Sequence, residues 1–142
     1  MKLEALIEWY QGLTPARLDE VGTLYSEQAE FQDPFNKVQG VAAIRGIFQH
    51  MFDTTESPGF EVLDRQIDGD TAWITWRFSC RLKRRAIAVE GSSRLRFGAD
   101  GRVDSHRDYW DALDIFQQLP LLSTIVTIMK RRLATPLDDP GA

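Results

Sequence analysis

Asp33 has the surroundings most suggestive of chemistry, because this carboxylate stands between two phenylalanines in the segment Phe31-Gln32-Asp33-Pro34-Phe35. Pro34 biases the backbone of Asp33 toward an extended conformation. If both aromatic rings are buried, Asp33 is carried toward the core, where a partly desolvated carboxylate can act as a general base near neutral pH. The alternative is a turn in which Asp33 accepts local backbone hydrogen bonds, and the segment taken alone favours that turn.

A second group of reactive side chains lies on the strands predicted in the second half of the chain. Alternation places His106, Asp108 and Trp110 on one side of the last strand, and Trp73 and Arg77 on one side of the longest strand. We expect these faces to meet, combining a proton carrier, a carboxylate and a fixed cation between two indole walls. The other interpretation is a solvated sheet face whose ion pairs contribute little.

Composition limits the classes of function. The chain has 142 residues, a net charge of −4 and one cysteine, Cys80. We therefore expect one domain over residues 1–134 with a flexible tail at 135–142, and no nucleic-acid partner. One cysteine excludes an internal disulfide, and no cysteine or histidine pair has zinc-ligand spacing, so we expect no metal. An acid at Glu4 and the lack of an apolar signal core predict a cytoplasmic protein.

The first half of the chain has the spacing of helices. Leu3, Leu6, Ile7 and Tyr10 form one helical face that ends at Gly12. Thr14-Pro15 then starts a second helix, whose apolar face runs from Leu18 to Tyr25. A third helix follows Gly40, and its predicted buried stripe comprises Ile44, Ile47, Phe48, Met51 and Phe52.

The second half has the alternation of strands, predicted at 60–67, 71–82, 86–97 and 102–110, with turn residues between them. Helices followed by an antiparallel meander predict an α+β domain with helices on one face of the sheet. One side of the strand 71–82 is almost purely apolar, and we expect a second subunit to cover it in a homodimer. That row comprises Ile74, Trp76, Phe78, Cys80 and Leu82.

Residues 119–133 form a last amphipathic segment that ends in Lys130-Arg131-Arg132. Basic residues at a helix C-terminus complement the helix dipole, which explains them without a special function. A lid over a pocket, a dimer contact and a weak membrane contact are the alternatives. The segment is too short to span a bilayer, so no stable membrane insertion is expected.

Two stretches carry a resemblance to a known superfamily. They are residues 25–35 with the following Gly40-Val41-Ala42-Ala43-Ile44-Arg45, and residues 96–103 with His106-Arg107-Asp108-Tyr109-Trp110-Asp111. Their order resembles the nuclear transport factor 2-like superfamily, including SnoaL-like polyketide cyclases, ketosteroid isomerases and limonene-epoxide hydrolases. The resemblance covers most of residues 3–116. It implies a cone-shaped, curved antiparallel or mixed β-sheet wrapped around the N-terminal helices and enclosing a pocket.

The same resemblance implies roles for individual residues. In ketosteroid isomerases the Asp of an Asp-Pro-aromatic motif is the base, which corresponds to Asp33, and the oxyanion Asp corresponds to Ser93. The oxyanion Tyr falls on Tyr10 if a one-residue gap is introduced, and on Trp9 otherwise. In limonene-epoxide hydrolases an Asp-Arg-Asp arrangement activates water, which matches Asp108 and Arg77 but has Ser79 at the second acid.

The leading hypothesis is therefore a cofactor-free acid–base enzyme, an isomerase, cyclase or hydrolase, acting on an apolar oxygenated small molecule. Asp33 would be the base, His106 and Asp108 the partner acid or relay, and Arg77 the group that polarises an oxygen. The predicted substrate-binding residues are Tyr10, Phe35, Phe48, Phe52, Trp73, Ser93 and Trp110. The alternative is a non-catalytic ligand-binding or dimerisation module of the same fold.

Overall fold

The computed structural model describes residues 1–135, and the predicted tail at 135–142 lies almost entirely outside this range. The helices are α1 (Leu3–Gln11), a 3-10 helix (Pro15–Glu20), α2 (Val21–Leu24), α3 (Val41–Thr54), α4 (Ala112–Gln117) and α5 (Leu122–Leu133). The strands are β1 (Tyr25–Gln32), β2 (Lys37–Gln39), β3 (Glu56–Asp68), β4 (Thr71–Leu82), β5 (Arg85–Phe97) and β6 (Val103–Tyr109). No helix within residues 1–135 is both long and apolar enough to cross a membrane.

The six strands form one mixed sheet in the order β2-β1-β6-β5-β4-β3. The pair β1–β6 is parallel, and the other neighbours are antiparallel. The predicted α+β architecture is confirmed, including the meander from β3 to β6. Chain contacts group Met1–Asp111, which holds the sheet and the first three α-helices, separately from the unit that begins at Ala112.

Helix α1 packs on β3, and α3 packs on β1 and β3. The apolar face of α1 is buried as its spacing predicts, and Trp9 joins it with its indole Nε1 donating to the Arg17 carbonyl at 3.1 Å. In α3 the buried members of the predicted stripe are Ile44 and Phe48, whereas Phe52 is only half-buried. These helices cover the inner face of the sheet.

The second predicted helix begins at Pro15 and ends at Leu24 as expected, but its first part, Pro15–Glu20, is a 3-10 helix, and Tyr25 begins strand β1 instead of completing the helical face. Tyr25, Ala29 and Phe31 are buried on β1, with exposed residues between them, and the strand pairs in parallel with β6. Helical spacing also fits Tyr25, so local pattern alone does not separate the two states. Pairing with a strand distant in sequence decides it.

The apolar row of β4 faces the inside of this same chain. Ile74 is 1% exposed, and Trp76 and Cys80 are each 6% exposed. Phe78 and Leu82 in the same row are half-buried. The chain itself thus covers most of this row, so the row no longer supports the expectation that a second subunit covers it. Homodimerisation stays a prediction, and it would need another surface.

The hairpin between β4 and β5 contains two residues in the left-handed region, Lys83 at φ +46° and Arg84 at φ +68°. Two-residue loops of this kind match the right-handed twist of the flanking strands, but both central residues must have positive φ. In the hairpin between β3 and β4, Gly69 supplies the positive φ of +60° without a side chain. The Lys83-Arg84 loop therefore holds backbone strain that the Gly69 loop avoids.

In the unit that begins at Ala112, α4 and α5 contact each other, and Lys130 Nζ donates to Gln117 Oε1 at 2.7 Å. The last turn of α5 carries the three basic residues that the sequence placed at the helix C-terminus. Several apolar side chains of this unit are exposed, namely Leu121, Leu122, Ile125, Ile128, Met129 and Leu133.

Candidate active site

A buried polar network centres on His106, which is 3% exposed on the inner face of β6. Its Nδ1 lies 3.0 Å from the hydroxyl of Tyr10 and 2.8 Å from that of Tyr25, and the two hydroxyls also hydrogen-bond each other. Its Nε2 lies 2.5 Å from Oδ1 of Asp108. Helix α1, strand β1 and strand β6 thus each contribute a group, because their inner faces converge here.

The partners of His106 define where the ring protons belong. An ionised Asp108 can only accept hydrogen bonds, so Nε2 must carry the hydrogen that it shares with Asp108. In the neutral ring, Nδ1 is then an acceptor and receives the hydrogen of a tyrosine hydroxyl. The network is therefore directional, running from phenol to imidazole to carboxylate.

Asp108 is held from a second side by Ser93. Ser93 Oγ donates to Oδ1 of Asp108 at 2.5 Å, and Trp76 Nε1 donates to Ser93 Oγ at 2.8 Å. The strand register explains this chain, because Ile74, Ser93 and Asp108 are direct partners on β4, β5 and β6. Both hydrogen bonds to Asp108 reach Oδ1, and within residues 1–135 no donor reaches Oδ2.

Gly91 makes room for the indole of Trp76. A Cβ added at Gly91 would lie 2.6 Å from Cη2 of Trp76 and 2.9 Å from Cβ of Trp110. Gly91 is the direct partner of Trp76 across the β4–β5 pair. The absence of a side chain at Gly91 lets the indole approach the backbone of β5, where its Nε1 reaches Ser93.

Both inner tyrosines resist ionisation. Burial raises the pKa of Tyr10 well above its ordinary value, and the neighbouring Tyr25 and Asp108 add to this effect. Burial likewise raises the pKa of Tyr25, with a further contribution from the charge of Asp108 and an opposing hydrogen bond from Tyr10 that does not cancel the rise. Both groups remain O–H donors at neutral pH, so the network offers neutral donors beside a carboxylate.

The network opens onto a narrow cavity of about 30 Å³. Four apolar side chains, Phe48, Phe60, Val62 and Ile74, line it together with the polar groups of Tyr10, Trp76, Ser93, His106 and Asp108. A cavity of this size holds one or two water molecules. A larger ligand requires the apolar walls to move, and Phe60, on strand β3, is only half-buried.

Asp33 is part of a local turn, which was the alternative to a buried catalytic base in the sequence analysis. Its Oδ1 accepts from the backbone N–H of Phe35 at 2.7 Å and of Asn36 at 2.6 Å. Phe35 is 63% exposed, so only one of the two flanking phenylalanines is buried. Asp33 does line a second, more open depression together with Asp108 and Trp110.

Arg77 and Trp73 lie on the opposite face of the sheet from His106 and Asp108. Arg77 donates to Glu90 at 2.7 Å and to Glu61 at 3.4 Å, and the bond to Glu90 raises the pKa of its guanidinium. Trp73 is 42% exposed. The expected meeting of these faces is wrong, because the register pairs Asp108 with Ser93 and Ile74 rather than with the odd-numbered row of β4.

Of the residues predicted from sequence, the structure brings together Tyr10, Phe48, Ser93, His106 and Asp108. It leaves Arg77, Trp73 and Phe52 outside this pocket, and it places Asp33, Phe35 and Trp110 around the outer depression. Sequence reasoning missed Tyr25 and the polar role of Trp76. No local pattern marked Tyr25 as a strand residue, because exposed Glu27 interrupts the alternation before Ala29 and Phe31. For Trp76 the available signal was an indole N–H inside an apolar row.

Within residues 1–135, no group of three or more His, Cys, Asp or Glu side chains is placed to hold a metal ion. The polar network contains one imidazole and one carboxylate. Its residues can move protons and donate hydrogen bonds.

Comparison with known proteins assigns the family. The model of the SnoaL-like domain matches residues 6–106. The chain belongs to the SnoaL-like domain family. This match confirms the superfamily that the sequence resemblance indicated. No curated protein was found to match the chain.

Solved structures agree with the fold. A hypothetical protein with a ketosteroid isomerase-like fold from Catenulispora acidiphila, in complex with trimethylamine, has a TM-score of 0.72 at 20% identity, covering 83% of this chain and 92% of that one. A candidate SnoaL-like polyketide cyclase from Jannaschia sp. CCS1 has a TM-score of 0.71 at 13% identity, covering 82% and 89%. An epoxide hydrolase of M. tuberculosis resembling the limonene-epoxide hydrolases has a TM-score of 0.67 at 16% identity, covering 89% and 92%. The cone-like α+β fold is therefore confirmed.

Proposed function

We propose that this SnoaL-like protein is a cofactor-free acid–base enzyme that acts on a small, mainly apolar, oxygenated molecule. The observation that carries the proposal is the carboxylate of Asp108, which lines the inner pocket with Oδ1 held by His106 and Ser93. Oδ2 is then the oxygen available to a ligand. The apolar walls formed by Phe48, Phe60 and Ile74 suit the carbon skeleton of such a substrate.

Asp108 is the base in this proposal, in place of Asp33. Asp33 already accepts three hydrogen bonds on Oδ1 from its own turn, and it does not line the inner pocket. Asp108 instead receives hydrogen bonds that orient it without occupying Oδ2. His106 holds the carboxylate in place, and its own orientation is set by the two phenols behind it.

Tyr10 supplies the acid side of the reaction. Its hydroxyl lines the pocket, and because burial raises its pKa it keeps its proton. A carbonyl substrate loses a proton from its α-carbon to Oδ2 of Asp108, and the electron pair of the C–H bond moves onto the carbonyl oxygen. The Tyr10 O–H donates to that oxygen as charge develops on it. Return of the proton to another carbon completes an isomerisation. In a cyclisation the enolate carbon bonds to a second carbonyl carbon, the electron pair of that C=O π bond moves onto its oxygen, and this oxygen takes the proton back from Asp108.

The alternative is a non-catalytic ligand-binding module. It is supported by the polar network around His106, in which the buried polar atoms already have hydrogen-bond partners. Within the described residues no buried side-chain nitrogen or oxygen lacks a hydrogen-bond partner, and the cavity is small. A network that serves only to stabilise the fold would have both properties.

The experiment is exchange of α-protons for deuterium, followed by NMR over a panel of apolar cyclic ketones in D₂O. We expect exchange with the wild type and its loss in Asp108→Asn, which keeps the shape of the side chain but cannot take a proton. Asp33→Asn is the matched control and should keep the wild-type rate.

Melting temperature separates the two functions. A catalytic Asp108 predicts that Asp108→Asn loses exchange with little change in stability. If Asp108→Asn still exchanges protons, or if no ketone binds and only stability falls, the enzymatic proposal is wrong and the binding module takes its place.

A further inference from the structure

The outer face of the sheet carries a groove of about 480 Å³ that crosses β2, β1, β6 and β5. Its charged side chains lie on the opposite face from the side chain of His106, because they alternate along the strands with buried residues, and two of those buried residues, Phe31 and His106, also border the groove. Arg94 and Arg96 are exposed on either side of Leu95, and Arg107 is exposed next to His106. Within residues 1–135, the side chains that line this groove include four cations, Lys37, Arg94, Arg96 and Arg107, and one carboxylate, Glu30.

This concentration of positive charge is unusual for a chain whose net charge is −4. Within residues 1–135, none of the four cations forms an ion pair, whereas Arg17, Arg45, Arg65, Arg77 and Arg102 all do. Arg94 and Arg107 are direct partners across the β5–β6 pair. Like charges placed opposite each other on neighbouring strands destabilise a sheet.

The groove arranges its donors in two adjacent rows. The first row runs across the strands through Lys37, Gln32, Arg107 and Arg94, which are successive register partners. The second runs through Glu30, Ser105 and Arg96, which are also successive register partners, so it combines one carboxylate with one guanidinium and one hydroxyl. Side chains two residues apart on one strand are about 7 Å apart, so a chain of two linked phosphates reaches both rows, whereas one carboxylate reaches only one.

Arg107 is held in a defined place by an aromatic ring. Its guanidinium carbon lies 4.7 Å from the centroid of the Tyr109 ring. Contact with an aromatic face leaves the edge of the planar guanidinium free to donate two parallel hydrogen bonds to an oxyanion. The side chain is thus partly ordered before any anion arrives.

We propose that this groove binds a small organic phosphate, with two linked phosphoryl groups across Arg94, Arg96, Arg107 and Lys37. The bound anion removes the repulsion between Arg94 and Arg107. This site is independent of the reaction assigned to the inner pocket, because Asp108 and Tyr10 lie on the other face of the sheet.

The test is titration calorimetry with inorganic pyrophosphate, at constant ionic strength maintained with chloride. We expect Arg107→Gln and Arg94→Gln each to weaken binding about tenfold or more, because each removes a charged hydrogen-bond donor. The matched control is Arg81→Gln, which removes an exposed arginine on β4 outside the groove and should bind pyrophosphate like the wild type.

Thermal melting adds a second readout that does not depend on affinity. Without anion, Arg107→Gln should melt at or above the wild-type temperature, because the opposed pair is gone. With pyrophosphate present, the wild type should melt at the higher temperature, because it binds the anion more tightly than Arg107→Gln and is stabilised more by it.

Three outcomes overturn the proposal. Equal weakening by Arg81→Gln shows a general charge effect, and citrate binding as tightly as pyrophosphate removes the phosphate assignment. Failure of the wild type to bind pyrophosphate, with or without a dimer that closes the groove, shows that the groove is no anion site.

Discussion

Gly91→Ala should disrupt the inner network through Trp76, although Gly91 itself makes no polar contact there. The added Cβ would lie 2.6 Å from Cη2 and 2.7 Å from Cζ2 of Trp76, which is closer than two non-bonded carbon atoms can approach. The indole must therefore move, and its 2.8 Å hydrogen bond to Ser93 stretches or breaks. Asp108 then loses one of the groups that orient it.

The expected loss of stability in Gly91→Ala is the sum of two effects. Overpacking of a filled core costs about 1–3 kcal/mol. Loss of a buried hydrogen bond costs about 0.5–1.5 kcal/mol more, so the free energy of unfolding should fall by roughly 2–4 kcal/mol. For a chain of this length that corresponds to a drop in melting temperature of about 6–15 °C.

The assay is urea unfolding followed by tryptophan fluorescence, with Gly59→Ala as the matched control. Gly59 lies on β3 of the same sheet, and a Cβ there meets no atom within 4 Å. We expect Gly59→Ala to unfold at or slightly above the wild-type urea concentration. In a Trp76→Phe background the shorter ring leaves room, and Gly91→Ala should then cost much less.

An equal cost of Gly91→Ala in the wild-type and Trp76→Phe backgrounds would refute the reasoning, because the clash would then lie elsewhere. So would a Gly91→Ala protein as stable as Gly59→Ala.

Two further predictions concern pH and backbone strain. Because burial raises the pKa of Tyr10 and Tyr25, the folded state keeps protons that the unfolded state loses. Their contribution to stability is therefore complete below pH ~10 and is lost as pH rises above it, by about 1.4 kcal/mol per pH unit for each tyrosine. Urea unfolding between pH 9 and 11 should show a shallower fall in Tyr25→Phe, and an unchanged slope would contradict the assignment. Arg84→Gly relieves the positive φ of +68° and should raise the free energy of unfolding by about 1 kcal/mol, whereas a loss would show that the Arg84 side chain stabilises the hairpin.

Some parts of the site could be read from single elements. The spacing of α1 predicted a buried face that ends at Tyr10, and alternation on β6 placed His106 and Asp108 on one side. Both follow from the geometry of one helix or one strand, which the local chain determines. For the same reason the turn at Asp33 was open to sequence reasoning, because the Asp33 carboxylate bonds to groups only two and three residues ahead.

Other parts of the site depend on the register in which the strands of the sheet pair. Alternation shows which residues of a strand share a face, but not which of the two faces meets a given face of the next strand. Arg77 and Trp76 are neighbours in sequence, and only the pairing of Ile74 with Ser93, and of Ser93 with Asp108, shows that Trp76 belongs to the inner side. Arg77 was assigned to the site for want of that information.

The sequence by itself determined helices α1 and α3, the hairpins between β3 and β6, and the residues that share a face on β4 and on β6, since these follow from local periodicity and turn residues. Tertiary structure alone decided that residues from Tyr25 onward form a strand, because its stability comes from parallel pairing with β6, far along the chain. It also decided that Tyr10, Tyr25, His106 and Asp108 meet. Their contacts join positions up to 96 residues apart, and no local pattern contains the distance between them.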